Sequence, residues 1–488
     1  MMPSDMLSEV EQVKSIVARH FPIYDVRVNY NALTIFISPD LTTLEDSFEK
    51  MRLEMSEKNY IPFLSHKGGE YSLTVVKKEQ RRTRSLWVNA ALLFITCVTT
   101  VLAGAALWAG YEGKDEWITA ENLLWGALTF ALPLMAILGV HELSHYYMAK
   151  RHKVAASLPF FIPSIPPLGT MGAFISMRDP IPNRKALIDI GIAGPVGGLL
   201  VTIPIALIGL YLTANGTPTD GSIPEEGALQ VFYQLFYWGL MLFIPVPENV
   251  SMHPVGFAAW VGFLVTAINL LPAGQLDGGH VARGFLGEKA KYLSYATMAM
   301  LFILGVFLYS GWLIFGILVF FLGLKHPQPL NDISKIDTKR KFLGVVAILL
   351  LLVTFVPVPV ANVFPSYEFG VELQGTNDVE LSPGDTVTFF INIKNTGNTD
   401  YRLQMQVMNV PMDWKRGLYL QGEDPANSTD LLSLDLPYEC SATVLLTLET
   451  SPETQAGTYT VIVKITSLTS KGIEKESFTQ TFIINVAA

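Results

Sequence analysis

The chain has 488 residues, of which 50% are hydrophobic and only 16% are charged, an apolar composition even for a globular protein. Its formal charge of -9 comes without a long basic tract, so the sequence predicts no nucleic-acid partner. Cys97 and Cys440 are its two cysteines and lie far apart, which argues against a disulfide framework or a thiolate metal site. The opening MMPSDMLSEVEQV lacks an apolar core and predicts neither a secretory signal nor a transit peptide.

Residues 1–80 alternate between helical and extended patterns. SEVEQVKSIVARHF and LEDSFEKMRLEMS have amphipathic helical spacing, whereas DVRVNY, LTIFIS and YSLTVV are typical of strands. We therefore expect a small α+β domain here, without a catalytic constellation of its own.

Several windows of about 20 residues follow that are nearly free of charge, long enough for helices to cross a hydrocarbon layer of roughly 30 Å. The candidate spans are residues 86–108, 122–149, 186–214, 254–280, 292–309, 311–324 and 342–361. The predicted fold class is a polytopic α-helical membrane protein with about six or seven transmembrane helices. Residues 86–361 form the predicted transmembrane domain, with its core at 86–325.

Basic residues are unevenly distributed between alternate connections of these spans. One set of connections contains Lys77, Lys78, Arg81, Arg82, Arg84, Lys150, Arg151, Lys153, Arg178, Arg184, Lys185, Arg283, Lys289, Lys291, Lys325, Lys335, Lys339, Arg340 and Lys341. The short connections of the other set contain only Lys114. The positive-inside rule then predicts a multi-pass plasma-membrane protein with a cytoplasmic N-terminus. Glycosylation sequons at Asn215, Asn249 and Asn427 all fall on the predicted outer side.

From residue 364 the pattern changes to short alternating strands separated by turn signals. Residues 364–488 therefore predict an all-β sandwich, which the last span places outside the cell. SPGDTVTFFINIKNTGN resembles the Ig-like modules of archaeal and bacterial surface proteins. We expect a spacer or a binding module whose partner or ligand is unknown.

The motif HELSH, residues 141–145, ends the second candidate span. On a helix, His141 and His145 lie one turn apart on the same face with Glu142 beside them, which is the spacing of zincins. The alternative is a pair of helix-end histidines that contact lipid headgroups or backbone, as we expect for His152 in the basic KRHK loop. An ionisable group deep in a bilayer costs about 2.5 to 3.5 kcal/mol, whereas zinc in a complete site returns on the order of 10 kcal/mol.

A catalytic zinc site usually has three protein ligands, so a third ligand is expected in another apolar segment. The candidate is Asp277 in NLLPAGQLDGGH, residues 269–280, where Pro272 and neighbouring glycines interrupt the helical pattern. Irregular backbone at membrane depth is tolerated mainly where it lines a cavity or is buried in protein. The predicted topology brings HELSH and LDG to the same membrane depth, although helix capping remains the alternative role for Asp277.

HELSH followed by NLLPAGQLDGG resembles the site-2 protease family of intramembrane zinc metalloproteases. The segment GTMGAFISMRDPIPNRKALIDIGIAGPVGG, residues 169–198, is similar to the branch found in archaea, bacteria and plastids. The resemblance covers roughly residues 86–325 and leaves both soluble ends outside.

The resemblance implies a role for each motif residue. His141, His145 and Asp277 would hold one zinc ion, and Glu142 would be the general base that later passes its proton to the leaving amine. Asn269 would position the substrate or stabilise the developing oxyanion, although it could equally satisfy backbone groups of the broken helix.

Other polar and small residues near the motifs remain open. His280 is either a further ligand or an interfacial or supporting residue, and Asp189 in the first turn of the third span is interpreted as structural. The glycines of that span permit close helix approach, for which ordinary packing is an equal explanation.

The Pro-rich LPFFIPSIPPLG is predicted to re-enter the membrane before the strand-like GTMGAFISM, residues 169–177. By family likeness, this strand could pair with an unwound substrate through main-chain hydrogen bonds, while a plain connecting hairpin is the alternative.

The predicted function is therefore an intramembrane zinc endopeptidase that acts on transmembrane-protein substrates within the lipid bilayer, near the cytoplasmic face. A prenyl-protein protease type of zincin is a rival that lacks support, because its downstream glutamate motif is missing. A catalytically silent scaffold or chaperone is a second rival, and an ion-conducting transporter is a third.

Overall fold

The computed structural model describes residues 4–29, 32–78, 86–219, 221–247 and 250–487. The chain divides into two compact units, the first formed by residues 1–216, 232–247 and 251–359 and the second by residues 217–231, 248–250 and 360–488. The basic residues Arg81, Arg82 and Arg84 and the sequon residue Asn249 lie outside the described residues.

The first unit begins with a four-stranded antiparallel sheet and two helices. These elements are α1 (Ser4–Ala18), β1 (Ile23–Asn29), β2 (Ala32–Ile37), α2 (Leu44–Glu57), β3 (Tyr60–Lys67) and β4 (Glu70–Lys77). The strand order is β1-β2-β4-β3, and alternate residues such as Leu33 and Ile35 are buried in one core with Ile16 and Met51. The two-residue period of the strands thus gives one face to the helices, as the sequence pattern predicts.

The helices of the apolar region follow. They are α3 (Leu86–Tyr111), α4 (Ala120–Gly126), α5 (Leu132–Arg151), α6 (Arg184–Ala214), α7 (Leu235–Met241), α8 (Pro254–Leu270), α9 (Asp277–Leu286), α10 (Ala290–Phe307), α11 (Gly311–Leu322) and α12 (Thr338–Thr354). Among the described residues, four helical stretches are long and apolar enough to cross a membrane: Leu86–Tyr111, Ala120–Arg151, Arg184–Ala214 and Asp277–Phe307. Membrane-length helices are therefore confirmed, and the number of six or seven spans stays a prediction.

The second of these stretches contains a π-helical turn at Ala127–Ala131, immediately before α5. Pro133 lies at the start of α5 and has no backbone N–H to donate to the preceding turn. Widening the turn relieves the clash of the proline ring with that turn and lets the helix continue without a break. HELSH is therefore reached on an uninterrupted helical stretch.

The predicted span 254–280 is two helices instead of one, because α8 ends at Leu270 and α9 begins at Asp277. Pro272 cannot donate in a helix, and the chain folds back so closely that a Cβ on Gly278 would lie 2.0 Å from the Leu270 carbonyl oxygen. Asp277 thus occupies the first turn of a new helix rather than the end of a span. The proline and glycines of this segment predicted an interruption of the helix, and the structure places it between Leu270 and Asp277.

The Pro-rich segment between α5 and α6 forms a hairpin of β5 (Phe160–Pro163) and β6 (Thr170–Phe174). The hairpin is held against α3, where Thr99 Oγ1 donates to the Gly169 carbonyl at 2.6 Å and Asn89 Nδ2 donates to the Leu158 carbonyl at 3.0 Å. In the part of the chain that the structure describes, β6 pairs with β5 alone. One edge of β6 is thus left without a strand partner.

The second unit is a two-sheet β structure. Its strands are β7 (Ala228–Val231), β8 (Val360–Val363), β9 (Phe369–Gln374), β10 (Asp378–Leu381), β11 (Thr386–Asn395), β12 (Tyr401–Met408), β13 (Lys415–Leu420), β14 (Leu431–Leu436), β15 (Ser441–Glu449), β16 (Gly457–Leu468) and β17 (Glu474–Val486). One sheet has the order β10-β17-β16-β12-β14 and the other β13-β15-β11-β9, while β7 pairs with β8. Alternating residues of both sheets form one core, which confirms the β-rich C-terminal region.

The motif that resembles Ig-like modules contains a buried asparagine, Asn395, which is 1% exposed. Its Nδ2 donates to the carbonyls of Thr399 at 2.9 Å and Leu436 at 3.1 Å, and its Oδ1 accepts from Gly397 N–H at 3.0 Å. The side chain therefore satisfies backbone groups at the end of β11 that water cannot reach.

Replacing Asn395 by Ala removes these hydrogen bonds, although the Gly397 N–H keeps its bond to the Glu368 carbonyl at 2.9 Å. We expect Asn395→Ala to lower the free energy of unfolding of the second unit by about 1 to 3 kcal/mol. Urea-dependent hydrogen exchange of the β11 and β15 segments measures this change. The exposed Gln455→Ala serves as the control and should change the same quantity by less than about 0.5 kcal/mol; equal values for both variants would contradict the assigned role.

Candidate metal centre

Two histidines on α5 lie on the face that points into the helical bundle. His141 and His145 are 3% and 5% exposed, and their ring centroids are 4.9 Å apart. One helical turn separates them, so both imidazoles reach the same point between α5, α6 and α9. The helical period of HELSH thus places two potential ligands together.

Asp277 at the start of α9 completes the group. Asp277 Oδ2 lies 3.2 Å from His141 Nε2 and 3.1 Å from His145 Nε2, and the two Nε2 atoms are 3.2 Å apart. A tetrahedral site with metal–ligand bonds of about 2.0 to 2.1 Å has ligand–ligand edges of about 3.3 Å. The three atoms therefore have the spacing that one metal ion requires.

The hydrogen bond between His145 and Ile190 indicates which nitrogen of the ring is available to a metal ion. His145 Nδ1 is 2.8 Å from the carbonyl oxygen of Ile190, an acceptor only, so Nδ1 carries a proton. In the neutral ring, Nε2 then presents a lone pair to the carboxylate of Asp277, and two lone pairs at this distance repel each other. A shared cation removes that repulsion, and the carbonyl orients the ring for it.

Close packing of α6 against α5 makes this arrangement possible. A Cβ added to Gly194 would lie 2.0 Å from His145 Nε2. Only glycine leaves room for the imidazole at this point of α6, so this residue is required by the site and not only by general helix packing.

Glu142 and Asn269 lie beside the three ligand atoms. Glu142 is 5% exposed, its Oε1 is 4.0 Å from His141 Nε2, and it lines the same cavity as Ile175, which lies just after β6. Asn269 on α8 has its Nδ2 3.3 Å from His141 Nε2. The structure thus brings together all five residues singled out from the sequence; their individual roles stay predictions.

The sequence profile described as peptidase family M50 matches residues 129–310, a range that contains both HELSH and LDG. Residues 129–310 belong to peptidase family M50. The resemblance to site-2 proteases is thereby confirmed for this part of the chain, and the N-terminal α+β elements and the second unit's sandwich lie outside the match.

The alignments with two curated relatives likewise cover only part of this chain. The "Probable zinc metalloprotease EGY1, chloroplastic" of Arabidopsis thaliana is 34% identical over 246 residues, which are 48% of this chain and 43% of the relative. The "Probable zinc metalloprotease EGY2, chloroplastic" of Arabidopsis thaliana is 33% identical over 250 residues, which are 49% of this chain and 43% of the relative. The chain therefore spans less than half the length of these relatives.

Solved structures match only distantly. The structure titled "AvmM Catalyzes Macrocyclization in Alchivemycin A Biosynthesis" is 12% identical with a TM-score of 0.20 and covers 25% of this chain and 92% of that chain. A TM-score this low indicates neither a shared fold nor a shared function.

Within the M50 segment, His280 lies one turn after Asp277 but does not belong to the three-residue ligand group found among the described residues. Its Nδ1 is 2.6 Å from Nε2 of His326, a residue that the sequence pattern did not single out. His326 Nδ1 donates to the carbonyl of Pro327, and burial lowers the pKa of His326 to about 4, so this ring is neutral at pH 7. His326 Nε2 therefore accepts from His280, a contact across 46 residues that no local signal could indicate.

Asp189 and His152 take part in a separate cluster. Asp189 accepts from His152 Nε2 at 3.0 Å and from Arg340 Nε at 3.1 Å. This ion-paired group joins α6 to α12 and to the end of α5, which agrees with the structural interpretation of Asp189.

A cavity of about 2460 Å³ opens onto the metal centre. Its lining includes the three ligand residues, Glu142 and Asn269, the whole of β6, and residues of β3 and β4 in the N-terminal sheet. Water and a polypeptide therefore have space to reach the ligand atoms.

Gly194→Ala is expected to displace His145 and to abolish metal binding, because the added methyl occupies the position of the imidazole. Metal content of the purified protein, measured by elemental analysis, should fall below about one tenth of the wild-type value. Gly139→Ala on α5 is the matched control, since a Cβ there meets nothing within 4 Å. Full metal occupancy in Gly194→Ala would contradict the assigned geometry.

Proposed function

We propose that this chain is an intramembrane zinc endopeptidase that hydrolyses peptide bonds in the transmembrane segments of other membrane proteins. The observation that carries the proposal is the convergence of His141 Nε2, His145 Nε2 and Asp277 Oδ2 within 3.2 Å, next to the buried Glu142. Ligands, base and cavity together match what hydrolysis requires, and the M50 match and the names of the relatives support a zinc protease.

The ligand set is suited to a catalytic zinc ion. Two imidazole nitrogens and one carboxylate oxygen would hold the ion, and three protein ligands are the usual number in catalytic rather than structural sites. Zinc, when bound, supplies a Lewis acid that polarises a water molecule and the scissile carbonyl.

Glu142 is the proposed general base. Its carboxylate borders the ligand atoms and the cavity, so it can take a proton from the attacking water and pass it to the leaving amine. Asn269, whose amide lies 3.3 Å from His141 Nε2, is placed to donate a hydrogen bond to the oxyanion that develops on the substrate carbonyl.

A substrate helix hides its backbone in its own hydrogen bonds and has to unwind before cleavage. The free edge of β6 offers main-chain groups that can hold the unwound segment as an added strand. β6 packs against α5 and lines the same cavity as Glu142, so an added strand would pass the ligand atoms.

We further propose that the protein is a multi-pass plasma-membrane protein whose N-terminus is cytoplasmic and whose sandwich, residues 364–488, is extracytoplasmic. The asymmetry of basic residues and the position of the sequons Asn215 and Asn427 support this topology. The sandwich then acts as a spacer or as a module that binds an extracellular partner.

Two substitutions separate binding from chemistry in purified protein reconstituted with a model transmembrane substrate. Glu142→Gln should retain zinc and lose cleavage activity by about 10²- to 10⁴-fold, because the base is removed and the ligands stay. Asp277→Ala should lose zinc and activity together, and a chelator should inactivate the wild type reversibly. Cleavage that persists in Glu142→Gln would overturn the mechanism and favour a scaffold, and full zinc content in Asp277→Ala would overturn the ligand assignment.

The topology has its own test in Cys440, an exposed cysteine of the second unit, and Cys97, which lies within α3. A membrane-impermeant maleimide added to intact cells should label the wild type and Cys97→Ser but not Cys440→Ser. Labelling of Cys440 that requires cell lysis would place the sandwich on the inside.

A further inference from the structure

The N-terminal α+β elements lie outside the M50 match. Within the first unit, they are nevertheless attached to the helices by hydrogen bonds and buried contacts. The connection is a segment between α11 and α12, residues 325–337, which we call the strap. Leu330 of the strap is 4% exposed and belongs to the N-terminal core. Its carbonyl accepts from Leu64 N–H of β3 at 2.7 Å, and its own N–H donates to the Ile181 carbonyl at 2.9 Å. The strap thus lies like a strand between the edge of the N-terminal sheet and the segment that leads into α6.

Charged groups reinforce this attachment on both sides of the strap. Asp332 accepts from Arg283 through both carboxylate oxygens, at 3.0 and 2.8 Å, and from Arg184 at 3.0 Å. On the other side, the backbone of Lys335 donates to Glu45 of α2 at 3.2 Å, and Lys185 also pairs with Glu45. Arg283 is buried, so this geometry is fixed by bidentate pairing and not by a flexible surface contact.

The same strap reaches the metal centre. Four residues before Leu330, His326 contacts His280, which lies one turn after Asp277 on α9. Both histidines line the cavity that contains the ligand atoms. The N-terminal sheet and the metal centre are therefore tied to one short segment and border one continuous space.

The wall that the N-terminal sheet contributes is largely apolar. Ile61 on β3 and Val76 on β4 are directly opposite each other, and Phe63 lies two residues along β3 on the same face. The side chains of Ile61, Phe63 and Val76 are half-buried and alternate along the strands with fully buried ones, and Ile61 and Phe63 also contact the N-terminal core. At the rim, Lys78 pairs with Asp179 and Lys77 with Glu9, while Arg178 also lines the cavity.

We propose that this wall binds the juxtamembrane segment of the substrate, in extended conformation, as it leaves the metal centre; this inference rests on the proposed function. A polypeptide held on the edge of β6 continues into the same cavity and meets Ile61, Phe63 and Val76. An extended chain places alternate side chains on this apolar face. Residues 1–78 are then part of substrate selection and favour substrates whose juxtamembrane segment contains apolar residues.

Cysteine cross-linking tests the occupant directly and does not require catalysis. In the full chain with Cys97→Ser, Cys440→Ser and Glu142→Gln, Ile61→Cys should form disulfides with single cysteines placed along the juxtamembrane segment of a reconstituted transmembrane substrate. Every second position should react, as an extended chain requires. Tyr24→Cys is the control, since Tyr24 is 56% exposed on β1 and does not line the cavity.

Kinetics give the second readout, with Glu142 retained. Ile61→Asp should raise KM about tenfold for a substrate with an apolar flank, because an apolar binding contact is lost. The value of kcat should stay unchanged, because the substitution does not alter the metal centre. A substrate with a Gly-Ser flank should show no such change, and Tyr24→Asp should behave as the wild type with both substrates.

The outcomes separate the two proposals. Cleavage without cross-links to Ile61→Cys, or a disulfide between two copies of this chain in place of the substrate adduct, would overturn the inference and leave the protease function intact. The opposite outcome is also possible: every second position cross-links, but the protein with Glu142 present cleaves neither substrate. This result would overturn the protease function and support the binding of a polypeptide by the wall.

Discussion

Three metal-ligand atoms lie within 3.2 Å of one another in the interior of an apolar helical bundle, and the surrounding structure serves to hold them there. Two imidazole nitrogens and a carboxylate oxygen have no reason to meet in such a place unless a cation compensates their repulsion and their lost hydration. The helix packing, the break between α8 and α9 and the carbonyl of Ile190 all act on this one point. Binding of a metal ion at this point would compensate the free-energy cost of burying these polar groups.

The elements around the centre divide the remaining requirements of peptide hydrolysis among themselves. In the proposed mechanism, α5 contributes the base Glu142 next to two of the ligands, α8 contributes the amide of Asn269, and the hairpin of β5 and β6 contributes a strand edge in the same cavity. The hairpin is anchored to α3 by Thr99 and Asn89, so its free edge faces the cavity with a defined position. Binding, orientation and proton transfer thus depend on different helices that meet only in the folded bundle.

The N-terminal elements lie outside the M50 match, and the proposed role in substrate binding depends on how they are attached to the helices. Because the strap inserts Leu330 into their core and places His326 against His280, the sheet is part of the same rigid surroundings as α9. A module fixed in this way is suited to recognise what enters or leaves the cavity, whereas a module on a flexible linker could act only by raising the local concentration of a partner.

The sequence by itself determined those features that depend on local spacing. The helical period of HELSH places His141 and His145 on one face, the alternating patterns predict strands in both soluble parts, and the motif resemblance indicates Asp277 and Asn269. Local patterns predicted an interruption of the span 254–280 at Pro272 and its neighbouring glycines, but not that the chain folds back there and begins a new helix at Asp277. They also missed His326 and Leu330, and left Gly194 as one small residue among several. These roles depend on contacts with residues distant along the chain, so only the tertiary structure decided them.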